Sequence, residues 1–319
     1  TEINHVTMYY FIVNPNSRSG RGQVIWLQLQ KVLSERRIAY RAYLTEYVGH
    51  AKELAAFISQ KGTSEAPVSL IAVGGDGTIH EVLTGISEFD RILFGFIPTG
   101  SGNDFCRGMK LPSDPLKALD VILSKEHIQT IDVPYLVTDN QKRRFGISAG
   151  MGFDAAVCQG VQASAFKKVF NTLGLGKLIY VFIALRQILF MNPVPMTLSL
   201  DGNRKYHFPG VYFAAVMNLK YEGGGFCFCP SARYDDGILD VIVVEKMPKL
   251  KFLFCLPTAL WGKHTRFRGI HTLRCREVNM SGPIPLVLHM DGEMGGLRTS
   301  LCAGIETKPL KIFMPKRSN

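Results

Sequence analysis

Residues 68–81 read VSLIAVGGDGTIHE, and the rest of the chain is read outward from them. The stretch opens as an apolar run, Val68 to Val73, with the length and β-branched content of a buried strand. It breaks on Gly74-Gly75-Asp76-Gly77. A helix signal follows at once, with Thr78 placed as an N-cap and Glu81 completing a capping-box spacing. A strand, a glycine turn and a capped helix make a cradle for phosphate. Glycines let the backbone approach an anion, and the first helical N–H groups point at it. The loop has no Lys, which separates it from the G-x-x-x-x-G-K-[ST] phosphate loop. Asp76 instead puts a carboxylate where a phosphate-bound Mg²⁺ needs one. Taken alone, the motif suits an ordinary strand-to-helix turn equally well, so its neighbours decide.

Toward the N-terminus, residues 8–13 (MYYFIV) read as a buried strand. It stops at a polar glycine loop, residues 14–22, that carries Arg18 and Arg21. Helical spacing follows in residues 24–36, with Ile25, Leu29, Val32 and Leu33 on one face. A second strand is expected at 40–44, ahead of Thr45 and Gly49-His50-Ala51, and a second helix over about 51–60. Toward the C-terminus, a strand at 92–97 ends on Pro98-Thr99-Gly100-Ser101-Gly102-Asn103-Asp104, and a helix is expected at 118–123. Three strands in a βαβ rhythm therefore each end on a glycine-rich loop. In a parallel sheet such loops share the carboxyl edge, where ligands bind. Together they offer Asn14, Ser17, Thr78, Thr99, Ser101 and Asn103 as small polar groups. Arg18 and Arg21 are candidates to neutralise phosphate, although each also suits a solvated surface.

After Thr130-Ile131-Asp132 the texture changes. Residues 196–200, Asp201-Gly202-Asn203 and 205–208 form a hairpin pattern with an Asp-Gly turn. Residues 211–217, 238–245, 273–280, 286–290 and 310–314 all read as strands. This half is expected to be an antiparallel β-sandwich, interrupted by a helical stretch over 164–191. The predicted organisation is an α/β nucleotide-binding domain at 1–131 and a β-rich domain at 132–304. The last strand, about 305–319, is expected to return to the first domain.

With 319 residues, 46% hydrophobic and 20% charged, the chain has the composition of a soluble globular protein with room for two cores. Its net charge of +11 favours an anionic partner. Seven cysteines without a C-x-x-C pair argue against a zinc site and fit thiols in a reducing cytoplasm. No signal-peptide pattern opens the sequence, and the longest apolar run, 178–191, is interrupted by Arg186 and too short to span a bilayer.

The glycine motif with Ile79-His80-Glu81-Val82 resembles the signature of the diacylglycerol-kinase-type catalytic domain, which is related more distantly to NAD kinases and phosphofructokinases. Asn14-Pro15 with Ser17 and Gly20 resembles that family's first nucleotide loop, Thr45 with Gly49-His50-Ala51 its second, and residues 98–105 a later one. Pro112 and Asp114-Pro115-Leu116 fit the segment after that loop. In the second half, Asn218, Gly223-Gly224-Gly225, Pro230, Ala232, Asp236-Gly237, Leu239-Asp240 and Asp291-Gly292-Glu293 resemble the soluble bacterial lipid kinases in order and spacing. His80 stands where those enzymes usually carry Asn and is more like the sphingosine kinases; Cys106 replaces a more usual Ala.

The resemblance implies a Rossmann-like, phosphofructokinase/NAD-kinase-like first domain and a lipid kinase that uses ATP and Mg²⁺. It places the nucleotide on Asn14, Ser17, Arg21, Thr45, Gly74, Gly75, Gly77, Thr78, Thr99, Gly100, Ser101 and Asn103. Asp76 would hold the nucleotide's Mg²⁺, Glu293 would act as general base, and Asp132 would support that base or bind metal. Asp236, with carbonyls of Arg233 and Ile238, would hold a structural Mg²⁺, although an Asp-Gly turn explains the same residues. Diacylglycerol is the leading acceptor, with a sphingoid base, ceramide or another lipid as alternatives. An NAD kinase and a non-catalytic nucleotide- or lipid-binding regulator remain rival functions. The expected partners are the lipid substrate and an anionic membrane surface, with no nucleic acid. A homodimer is compatible, and the expected location is cytoplasmic and peripheral to the membrane. Residues 178–191 and 250–261, apolar and bordered by Lys or Arg, are the stretches expected to touch a bilayer or else to form core helices.

Overall fold

The computed structural model describes residues 8–100, 102–152 and 192–316. The helix expected over 164–191 lies outside the described residues, as do Ser101 and Cys158.

The decisive stretch forms strand β3 (Val68–Gly74), buried from Ser69 onward. It sits inside a parallel sheet with β1 (Tyr9–Val13), β2 (Tyr40–Leu44) and β4 (Ile92–Pro98). Strand order is β2-β1-β3-β4, continued by the C-terminal strand Leu310–Phe313 and then β5 (Ile128–Ile131). The C-terminal strand runs parallel to β4, and β5 runs antiparallel to it. Lys308 ties this returning segment down, donating to Glu88 at 3.2 Å and Asp90 at 2.8 Å.

The helices of this unit are α1 (Ser17–Glu35), α2 (His50–Ser59), α3 (Asp76–Gly85), α4 (Asp104–Met109) and α5 (Pro115–Ser124). Ile25, Leu29 and Leu33 of α1 are buried as their spacing predicts; Val32 is only half-buried and Trp26 takes the remaining place. Trp26 lies 5.3 Å from Phe11 on β1, and Tyr40 meets both rings edge-on. Each such side chain contributes about 1.5–3 kcal/mol of burial free energy, which fixes the helix on the sheet. Helix α5 carries Pro at its first position and Asp114 as N-cap, whose carboxylate accepts the Lys117 N–H at 2.9 Å.

A second unit, Pro134–Ile305, is antiparallel, and the first comprises the remainder, through Val133 and from Glu306. Its strands are β6 (Pro134–Thr138), β7 (Gln141–Arg144), β8 (Ser148–Gly152), β9 (Val194–Leu200), β10 (Arg204–Met217), β11 (Leu239–Glu245), β12 (Ile270–Cys275), β13 (Glu277–Met290) and β14 (Glu293–Ile305). The C-terminal strand is thus β15. The main path runs β12-β11-β10-β8-β13-β14-β6-β7, while β9 pairs with both β10 and β13. Strands β9, β10, β13 and β8 therefore close a circuit of pairings around a core of Met151, Leu198, Leu200, Val216, Val278 and Leu288. Fold class is as read from the sequence: an α/β domain with a parallel sheet and an antiparallel β-sandwich domain.

Two strand boundaries differ from the sequence reading. The expected strand 273–280 is two strands, because the Asp201 carboxylate accepts both the Arg276 and Glu277 N–H groups, at 2.8 and 3.1 Å, and turns the chain there. Conversely, 205–208 and 211–217 are one strand, β10. It crosses a register shift at Pro209-Gly210, where proline has no N–H to give a ladder. The six cysteines of the described residues are free thiols. Burial pushes Cys229 and Cys275 up to about 12, which leaves them unreactive. No helix of the described residues is long and apolar enough to cross a membrane.

Candidate active site

The parallel strands end level with one another. Val13 is paired with Leu44 and Val73, and Gly74 with Pro98. The ladder continues one residue beyond: Thr45 N–H donates to Val13, Asn14 N–H to Val73 and Thr99 N–H to Gly74, each at 2.8 Å. These bonds bring the three glycine loops and Thr45 to a single sheet edge.

Side chains then link the loops. Asn14 Nδ2 donates to Thr78 Oγ1 at 3.2 Å. Ser17 Oγ lies 2.6 Å from Thr99 Oγ1 and donates to the Asn14 carbonyl at 2.9 Å. Asp76 accepts the N–H groups of Asp104 and Phe105, at 3.2 and 3.3 Å, so the middle loop caps α4 of the third loop. The glycines are needed for this closeness. A Cβ on Gly74 would lie 2.2 Å from Thr78 Oγ1, and one on Gly100 would lie 3.0 Å from the Gly75 Cα.

The capping box is corrected. Helix α3 begins at Asp76, its N-cap is Gly75 in extended conformation, and no side chain caps it. Thr78 is instead held by Asn14. Glu81 turns outward to the neighbouring helix and accepts the Gly49 and Ala51 N–H groups of α2, at 2.9 and 3.1 Å. The competing donors are the physical reason: a carboxylate gains more from two unsatisfied donors at another helix start than from one of its own. Gly77 lies in the first turn of α3, and His80 is half-buried.

An open groove of about 380 Å³ lies along this edge, lined by Arg18, Arg21, Pro98, Thr99, Gly100, Asn103 and Asp114 among others. Arg18, Ser19 and Gly20 all have positive φ (49°, 57° and 91°), a left-handed turn that L-residues seldom adopt. That turn interrupts the start of α1 and sets two guanidinium groups on the groove. The Asn103 Oδ1 is buried without a hydrogen-bond partner, an acceptor ready for a ligand's donor. Small polar groups and two arginines line the groove, a chemistry that suits a phosphorylated, hydrogen-bonding ligand.

In the second unit, Asp291-Gly292 is the two-residue turn between β13 and β14, with φ of 50° and 80° and Met290 paired to Glu293. Asp291 is buried and accepts three backbone N–H groups, from Gly146 and Ile147 at 2.7 Å and Ser148 at 3.1 Å. Asn218 holds the same loop from its other side, donating to the Gly146 carbonyl at 3.0 Å. Glu293, the first residue of β14, is exposed beside this anchored turn. The other acidic candidate, Asp132, is half-buried just after β5.

Two features of this unit escaped the sequence reading. Fully buried His289 lies 2.6 Å from Glu222, itself 5% exposed. Burial by itself would raise the Glu222 carboxyl, but the adjacent imidazole outweighs it and holds it below its ordinary range. The signal available was spacing: His289, Asp291 and Glu293 alternate, two polar residues flanking the apolar Met290. The second feature is Arg274, which ion-pairs with Asp236 and reaches Asp240 at 3.7 Å.

Arg274 bears on the structural Mg²⁺ expected at Asp236. One Asp236 oxygen is paired with that guanidinium, and the other accepts the Ile238 N–H at 3.2 Å. The Arg233 guanidinium pairs with Asp235 at 3.2 Å. A built-in cation, the Arg274 guanidinium, thus balances the Asp236 carboxylate that was expected to hold the ion. Among the described residues no three His, Cys, Asp or Glu side chains gather as a metal site. Asp76 does fit a Mg²⁺ carried by phosphates, since one carboxylate plus phosphate oxygens is the usual protein share.

Comparison with known proteins decides the family. Residues 8–135 match the diacylglycerol kinase catalytic domain, and residues 148–313 match the YegS C-terminal NAD kinase beta sandwich-like domain. The chain belongs to the diacylglycerol-kinase-type lipid kinases. Within that family it is 31% identical to YtlR of Bacillus subtilis (strain 168), a protein provisionally named a lipid kinase, over 95% of this chain and 98% of that one. It is 29% identical to a diacylglycerol kinase of Staphylococcus epidermidis, over 86% of this chain and 82% of that one. Among solved structures, a Bacillus anthracis str. Sterne protein provisionally titled a diacylglycerol kinase superposes with a TM-score of 0.77 at 22% identity, covering 97% and 95% of the two chains. An NAD kinase from Archaeoglobus fulgidus solved with ATP shares the fold more loosely, at TM-score 0.51 and 12% identity over 96% and 94%. This lipid kinase thus carries its family's catalytic domain and its sandwich domain along one chain.

Proposed function

We propose that the protein transfers the γ-phosphate of ATP to the hydroxyl of diacylglycerol, giving phosphatidic acid. The observation that carries this reading is the cross-linked set of three glycine loops on one sheet edge, with Arg18 and Arg21 on the groove beside it. ATP use is supported by the family's kinase name and by the ATP bound to the related NAD kinase. Diacylglycerol as acceptor is supported by the names of relatives such as the Staphylococcus epidermidis enzyme.

In this reading the loops supply backbone donors to the phosphates, Arg18 and Arg21 neutralise charge, and Asn103 accepts a donor from the nucleotide. Asp76 orients the third loop and adds one carboxylate to the phosphate-borne Mg²⁺. That ion, when bound, offsets charge developing on the β- and γ-phosphate oxygens. Glu293 takes the proton from the lipid hydroxyl as the new O–P bond forms and the bond to ADP breaks. Asp291 keeps the turn that bears Glu293 in place, and Asp132 stays a candidate to support that base or bind metal. ATP and Mg²⁺ are therefore the co-substrate and ion, and an anionic membrane surface is where the lipid is met.

The test is an acceptor panel with γ-labelled ATP: diacylglycerol, sphingosine, ceramide and NAD. Labelled phosphatidic acid formed faster than any other product is the expected result. Dominant labelling of a sphingoid base or ceramide would move the acceptor, and dominant NADP would overturn the lipid reading.

A further inference from the structure

Helix α6 (Lys249–Thr258) departs from the usual surface helix. Its inner side is normal: Phe252 and Cys255 are buried, and Phe252 stacks on Tyr212 at 5.1 Å. Its outer side ought to be polar. Instead Leu250, Leu253, Phe254 and Pro257 are exposed, Leu250 by 66% and Phe254 by 68%. Their spacing of three, one and three residues puts them on a single stripe at about 100° per residue, opposite the buried one. The next turn adds Leu260 and Trp261, the latter 70% exposed. A cluster of large exposed apolar side chains on a globular surface marks an interaction site.

The surrounding charge says what that site meets. Lys249 and Lys251 flank the stripe on its two sides. Residues 246–268 contain six Lys or Arg (Lys246, Lys249, Lys251, Lys263, Arg266 and Arg268) and no Asp or Glu. Lys246, Lys249, Lys263, Arg266 and Arg268 are exposed. An apolar stripe between cations, with a Trp at its end, matches the boundary between acyl chains and anionic headgroups. A second copy of the chain fits poorly, because a two-fold pairing of this face would bring its cationic borders together.

We propose that the α6 face, from Leu250 through Trp261, docks this protein on anionic bilayers. The proposal rests on the lipid-kinase reading for its purpose, but its test does not. Trp261 is itself the probe, since the chain's other tryptophan, Trp26, is buried. Vesicles of phosphatidylcholine with 30% phosphatidylglycerol and no diacylglycerol are titrated against the full chain, with sedimentation as a second readout. Binding with a blue shift of Trp261 emission is expected, about tenfold weaker on pure phosphatidylcholine and in 0.5 M salt. Phe254→Glu and Leu250→Glu should each weaken binding at least tenfold while phosphorylation of a short-chain, water-dispersed diacylglycerol stays at the wild-type rate.

Wild-type binding undiminished in both Glu variants, or no vesicle binding at all, would overturn the docking face. So would a wild-type dimer that the same variants turn into a monomer, which would make the face a self-interface. Loss of vesicle binding in the variants, with no transfer to short-chain diacylglycerol by the wild type, would retain the docking face and overturn the proposed acceptor instead.

Discussion

Asp76, Glu222 and Asp236 are carboxylates with three different fates, set by what lies beside each. Asp76 is shared between two loops through the α4 amides. Glu222 is buried against His289, with its carboxyl held low. An acid with a lowered folded pKa stabilises the fold fully above its unfolded pKa, and that contribution disappears as pH falls through the folded value. Replacing it by Gln removes the dependence. In parallel urea titrations from pH 7 to pH 3, the stability difference between wild type and Glu222→Gln should therefore shrink as pH falls. A difference that stays constant would show that His289 does not hold the carboxyl down. Buried Asp240, pushed up by burial, titrates in the opposite sense, so comparison against the variant is needed rather than the wild-type curve alone. For Asp236 the prediction concerns metal. Millimolar Mg²⁺ without nucleotide should leave the wild-type Tm unchanged. Arg274→Gln should gain a Mg²⁺-dependent rise of a few degrees that Asp236→Asn in the same background removes.

At the scale of elements, the glycine loop of α3 is a close-packing device as much as a candidate anion site. Gly74→Ala sets a Cβ 2.2 Å from Thr78 Oγ1 and 2.5 Å from its Cβ, so the first turn of α3 must move away from β3. Overpacking of this kind costs about 1–3 kcal/mol. It should lower the chemical-denaturation midpoint and weaken ATP binding together, as equilibrium unfolding and calorimetry would show. The elements were legible from sequence where periodicity ruled: β1 to β4, and α1 from Ile25, Leu29 and Leu33. They were misread where a distant side chain intervened. Asp201 broke one expected strand by seizing two amides, and Glu81 left its own helix for the start of α2. Neither partner is adjacent in sequence, so spacing alone could not reveal it. The turn of Arg18 and Ser19 into positive φ escaped for a related reason, since nothing local demands that conformation of those residues.

At the scale of the whole molecule, the chain leaves the first unit after Val133 and re-enters it at Glu306. Strand β15 then fills an interior position between β4 and β5, and Leu310 and Ile312 are fully buried. Ending the chain at residue 305 should expose one edge of β4, isolate β5 and leave the first unit unable to fold. Loss of ATP binding and of cooperative unfolding, by calorimetry, is the expected outcome. The candidate site follows the same division of legibility. Its glycine loops could be read because they obey strand-loop-helix grammar. The His289–Glu222 pair and the Arg274 clasp join residues 67 and 38 apart, and such pairs become visible only when the sandwich is assembled.

The central claim is that this fold moves phosphate from ATP to a lipid hydroxyl with Glu293 as the base. The most direct measurement is the single-turnover rate of labelled phosphatidic acid formation from γ-labelled ATP and diacylglycerol, in wild type and Glu293→Gln, with ATP affinity measured alongside. The account predicts rapid transfer by the wild type and, in Glu293→Gln, a rate lower by about 10²–10⁴-fold with ATP affinity preserved. Transfer by Glu293→Gln at the wild-type rate, or no transfer by a wild type that binds ATP, would contradict it.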